Sequence, residues 1–123
     1  MTSILTLLRR SPSISDLWLA FIVLVSMNML DAYSTQILVQ HFGIDVEANP
    51  LIHYAMSIYG IQGMYMVKFA VLGFLFLVTS IVSRFYIEKR AAIILHRCTW
   101  LLTALLAIIV INNFILVAAA INT

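Results

Sequence analysis

The chain has 123 residues, of which 63% are hydrophobic and 10% charged, with a mean hydropathy of +1.07. Soluble domains are about 45–50% apolar and about 25% charged, and so small a chain cannot hide the surplus in a core of its own, so the composition excludes an ordinary soluble domain and makes lipid the solvent. The formal net charge is only +2, and the single cysteine, Cys98, excludes an intrachain disulfide and a cysteine-based metal knuckle.

In chain order, a short basic segment holding Arg9 and Arg10 precedes the first apolar run, residues 17–39. This run has the ~20 residues that about 30 Å of hydrocarbon requires. Its first part, LWLAFIVLV, is wholly apolar, and its second part carries Asn28, Asp31, Ser34, Thr35 and Gln36. It is too long for a signal-peptide core, contains Asp31 and lacks a small-x-small cleavage site, so it reads as a retained helix.

The segment HFGIDVEANPLIHYAMSIYG follows. Gly43 and Asp45 mark a turn. Asn49 suits a helix N-cap and Pro50 the first helical position, and Gly60 suits the stop. The helix expected between them, about 50–59, is too short to span and should lie in the interface or dip in as a re-entrant element. Glu47 precedes its N-terminus, where the helix dipole favours a carboxylate; leaning the other way, it would join Asp31 and Lys68 at the bundle mouth. His41, Asp45, Glu47 and His53 are nitrogen and oxygen ligand types. Their spacing matches no tight template such as H-E-x-x-H, so they read as a solvated loop with caps and no metal is assigned.

A second apolar run covers residues 62–82, with Lys68 its only charge, and a third covers 98–121, with no ionisable side chain beyond Cys98. The runs lack period-two alternation and are too long for strands. The expected fold is all-α: a three-transmembrane-helix bundle with a short interfacial or re-entrant helix between the first and second spans, forming one integral membrane domain over 1–123.

Charge placement orients the bundle. Arg9 and Arg10 precede the first span; Arg84, Lys89, Arg90 and Arg97 lie between the second and third; the loop from 40 to 61 has no Lys or Arg. By the positive-inside rule the N-terminus is cytoplasmic and the C-terminus outside, in the cytoplasmic (inner) membrane if the source is bacterial. Trp18 and Trp100 then belong to the inner interface and Tyr54, Tyr59 and Tyr65 to the outer one.

With a rise of about 1.5 Å per residue, Asp31 lies roughly 12 Å from the outer end of its helix, Lys68 roughly 9 Å, and Asn112 and Asn113 roughly 12 Å. Each unpaired charge in hydrocarbon costs about 2.5–3.5 kcal/mol or more, so coincident depth points to mutual satisfaction. Asn28, Asp31 and Thr35 share one helical stripe, with Ser34 at its edge. The expectation is an Asp31–Lys68 pair with hydrogen bonds from Thr35 and Asn113. The competing expectation is that Lys68 snorkels to the headgroups. Gly73 and the alanines 118–120 offer surfaces for close helix approach.

The stretches NMLDAYST (28–35), VEANP (46–50), Val67-Lys68 and VINN (110–113) together resemble a family of small bacterial and archaeal membrane proteins classed as a domain of unknown function. The resemblance spans nearly the whole chain. It implies Asp31, Thr35, Glu47, Asn49, Pro50, Lys68 and Asn113 as signature positions, and it implies no activity.

Three functions fit these residues. The first is a non-enzymatic membrane protein acting by association, as an accessory subunit or a homo-oligomer. The second is an ion- or proton-coupled transport component in which Asp31 or Glu47 carries the ion and Lys68 is the counter-charge. The third is an intramembrane lipid-modifying enzyme with Glu47 or His53 as base and Asp31 as supporting acid. No nucleophile–base–orienter set accompanies them, so no catalytic residue or cofactor is assigned. The expected partners are the lipid bilayer and another membrane protein or a second copy. Nucleic acid is not expected, because the short basic loop is explained as an orientation signal.

Overall fold

The computed structural model describes residues 12–85 and 89–121. They form α1 (Ile14–Phe42), a single 3-10 turn (Ile44–Val46), α2 (Pro50–Tyr59), α3 (Ile61–Arg84) and α4 (Lys89–Ile121), with no strand among the described residues. Helices α1, α3 and α4 have 29, 24 and 33 residues and are long and apolar enough to cross a membrane. The molecule is a small integral membrane protein in contact with the bilayer. Arg9, Arg10 and residues 86–88 of the basic loop lie outside the described residues.

Helix α1 starts at a capping box: Ser13 Oγ accepts from the Asp16 N–H at 3.1 Å, and Asp16 Oδ2 accepts from the Ser13 N–H at 2.9 Å. These bonds satisfy donors that the first turn leaves without helical partners. Helix α1 is the centre of the bundle. Helix α4 packs along it, α3 flanks it, and α3 and α4 touch each other little. The buried face of α1 runs through Leu17, Ala20, Leu24, Asn28, Asp31 and Thr35, the three-and-four spacing of one helical stripe.

Between α1 and α3 the chain makes a compact elbow. Asn49 Oδ1 accepts from the backbone N–H groups of Leu51 and Ile52 at 3.0 and 3.4 Å, and Pro50 occupies the first turn of α2. Gly60 ends α2 and opens α3 at φ 70°, a backbone region costly to residues with a Cβ. The hairpin brings α2 onto α3 so closely that a Cβ at Gly63 would run into the carbonyl of Ala55. Gly73, expected from its size to admit a neighbouring helix, faces open space instead, because α4 lies along α1 rather than α3. Ile52 and Met56 of α2 complete an apolar cluster with Ala32, Val39 and Met64, while Leu51, Tyr54, Ile58 and Tyr59 face outward.

At the opposite end, Trp18, Phe21 and Phe76 form an aromatic cluster with ring centroids 5.5–5.9 Å apart. The basic residues Arg84, Lys89, Arg90 and Arg97 belong to this end of the bundle, where α3 finishes and α4 begins.

Candidate functional site

Five side chains from three helices meet in the half of the bundle nearest the α2 elbow. Lys68 of α3 places Nζ 2.6 Å from Asp31 Oδ2 of α1, and the two residues are only 7% and 6% exposed. The other carboxylate oxygen, Oδ1, accepts from Thr35 Oγ1 at 3.4 Å and from Asn113 Nδ2 of α4 at 3.3 Å. The same amide nitrogen lies 3.0 Å from Ser34 Oγ and 3.3 Å from Thr35 Oγ1. Ser34 donates its own hydroxyl hydrogen to the Asp31 carbonyl at 3.0 Å, which leaves its lone pairs free to accept from Asn113.

The helical stripe of α1 explains why these groups converge. Thr35 stands one turn beyond Asp31 and turns its hydroxyl back along the helix to the carboxylate. Ser34 is rotated toward α4 and is fully buried. Asn113 is buried beside Val117 on the α1-facing side of α4, whereas Asn112 is exposed on the far side, because one helical step turns the side chain by about 100°. Lys68 thus meets Asp31 directly instead of extending to the headgroups. Lys68 Nζ serves one carboxylate oxygen, and the Thr35 hydroxyl and the Asn113 amide serve the other.

Asn28 lies one turn from Asp31 on the same face and is buried, but it makes no hydrogen bond among the described residues. Ser34 stands at the edge of the helical stripe yet belongs to the cluster through Asn113. Its signal was proximity to Asp31 at i+3 with a small side chain, which identifies a hydroxyl but not the helix it serves. A further tie between α1 and α3 joins Tyr65 Oη, which donates to Gln36 Oε1 at 2.6 Å, one turn closer to the elbow.

The elbow residues Glu47, Asn49, Pro50 and His53 form a separate group, with no hydrogen bond to the Asp31 cluster among the described residues. Glu47 Oε1 accepts from the Asn49 N–H at 2.9 Å, so its carboxylate orders the α2 cap rather than leaning over the bundle mouth toward Lys68. His53 Nε2 lies 3.4 Å from Asp45 Oδ1 at the surface. Among the described residues, no three His, Cys, Asp or Glu side chains converge as a metal site would require.

The model of the family described as "Domain of unknown function (DUF5658)" matches residues 22–119. The chain belongs to the DUF5658 family. The match takes in α2 and α3 whole and most of α1 and α4, and so covers every member of the polar cluster. No curated protein and no solved structure matches the chain.

Proposed function

We propose that the protein is a non-catalytic component of the membrane that acts by association, with the Asp31 cluster as the lock that fixes its helices. The observation that carries this reading is that both carboxylate oxygens of Asp31 have partners within the chain. Lys68 occupies one carboxylate oxygen of Asp31, and Thr35 and Asn113 occupy the other. A site that captures and releases an ion or substrate needs unsatisfied groups; here the carboxylate is committed within the chain. Toward the basic end the next buried position on α1 is Asn28, and beyond it the buried positions Leu24, Leu72 and Val110 are apolar. Such a bundle offers partners its long lipid-facing surfaces.

The orientation proposed for it has the basic end in the cytoplasm and the α2 elbow outside, on the strength of Arg84, Lys89, Arg90 and Arg97. A single membrane domain over 1–123 is part of the same proposal. An ion- or proton-coupled role is the second reading, favoured by the depth at which Asp31 and Lys68 are buried.

Two measurements test the choice. Extraction of the full chain from its own membrane in lipid nanodiscs, followed by native mass measurement, should return a complex heavier than one chain. A monodisperse single chain at every extraction condition contradicts the association reading. Flux assays in liposomes should give no ion-gradient dissipation that depends on Asp31; flux lost in Asp31→Asn would favour transport instead.

A further inference from the structure

The face of α4 turned away from the bundle carries a pattern that packing within one chain does not use. The buried side of α4 is marked by Thr99, Thr103, Val110, Asn113 and Val117. On the opposite side, Cys98, Leu101, Leu105, Ile108, Asn112, Ile115 and Ala119 are all exposed. Their spacing is three, four, three, four, three, four: a heptad seam two to three repeats long. Apolar side chains in such a seam are content in lipid, but Asn112 is not. It lies roughly 14 Å from the Ile121 end of α4, well inside the apolar run, and makes no hydrogen bond among the described residues.

We propose that this seam is a self-association surface, in which α4 of a second copy packs parallel against α4 of the first with Asn112 facing its mate. An amide carries both donor and acceptor, so a residue on a rotational axis complements its own copy. Copies inserted the same way up have parallel α4 helices, and in parallel heptad contacts a lone Asn at an a position fixes the register. Here Cys98, Leu105, Asn112 and Ala119 occupy a, with Leu101, Ile108 and Ile115 at d. The small Cys98 and Ala119 allow close approach at both ends of the seam. Leu at a with Ile at d shifts preference from pairs toward rings of three or four helices, so the inference is the seam and its symmetry, and the copy number follows from the mass. This names the partner for the association reading above and rests on it.

The chain supplies its own probe, because Cys98 is its only cysteine and lies in the seam. Full-length protein in lipid bilayers, diluted to a large lipid excess, should give an oxidant-induced and reductant-reversible dimer through Cys98. In a Cys98→Ala background, single cysteines at Leu101, Leu105 and Ile108 should cross-link efficiently. One at Ile111, exposed but about a quarter-turn off the seam, should cross-link several-fold less. Asn112→Val should lower Cys98 cross-linking several-fold while leaving the thermal stability of the bundle unchanged, since Asn112 has no intrachain bond. Equal cross-linking at Ile111 and in the seam, or an unaffected Asn112→Val, overturns the proposal. Native mass measurement separates the two readings. A heavier complex without seam cross-linking refutes the seam and leaves association standing. A single-chain mass without cross-linking removes both.

Discussion

Asn113 of α4 donates across the bundle to Ser34 of α1 at 3.0 Å, over a separation of 79 residues. Among the described residues this amide is the polar tie between α4 and the Asp31 cluster, and Ser34 accepts it while donating its own hydrogen to the Asp31 carbonyl. Asn113→Leu removes the two N–H donors that Ser34, Thr35 and Asp31 share. Interhelical hydrogen bonds of this kind are worth about 0.6–2 kcal/mol in membrane proteins, and Asn113→Leu should destabilise the bundle by that amount. Ser34→Ala should cost about 1 kcal/mol. Because the two changes remove a shared bond, thermal unfolding in lipid should show the double variant losing less than the sum of the singles.

Gly63 is required by the contact of α2 with α3, where a side chain would overlap the Ala55 carbonyl. Gly63→Ala should cost about 1–3 kcal/mol through overpacking and displace α2 from the cluster of Ile52, Met56 and Met64. Gly73→Ala, made in open space, should be neutral or slightly stabilising, since Ala is the better helix former. Hydrogen exchange across residues 51–59 reads the difference: faster in Gly63→Ala, unchanged in Gly73→Ala.

The cap at Asn49 predicts a smaller, local effect. Asn49→Ala removes the acceptor for the Leu51 and Ile52 amides, at a cost of about 0.5–2 kcal/mol. Glu47→Gln retains an oxygen for the Asn49 N–H and should perturb the elbow less. Exchange at the Leu51 and Ile52 amides should rise in Asn49→Ala while that around Asp31 stays constant.

Orientation is directly measurable. In a Cys98→Ala background, a cysteine at the exposed Ala48 of the elbow should react with a membrane-impermeant thiol reagent added to intact cells. A cysteine at Ala91, at the basic end of α4, should react only after permeabilisation. The reverse pattern would invert the proposed topology.

Much of this architecture is written locally in the chain. Asn49-Pro50 and Gly60 bound α2 at the residues expected of them, because capping and backbone conformation are short-range effects. The depths of Asp31, Lys68 and Asn113 can be counted from the ends of apolar runs, since a helix has a fixed rise. The apolar run at 98–121 understates α4, which begins at Lys89. Hydropathy marks where lipid ends, whereas Ala91 and Ala92 keep the backbone helical beyond it. Which glycine meets a neighbour was not legible: Gly63 and Gly73 look alike until the hairpin at Gly60 sets the side on which α2 lies. Ser34 was hidden for the same reason, because its partner comes from α4, 79 residues away.

The central contention, that Asp31 and Lys68 form a buried structural pair, is tested most directly by a double-mutant cycle on thermal or denaturant stability in lipid. Asp31→Asn and Lys68→Met should each be strongly destabilising, by about 3–5 kcal/mol where an uncompensated charge stays buried. The double variant should recover most of that loss and still assemble. Losses that simply add, with a coupling energy below about 0.5 kcal/mol, would contradict the account.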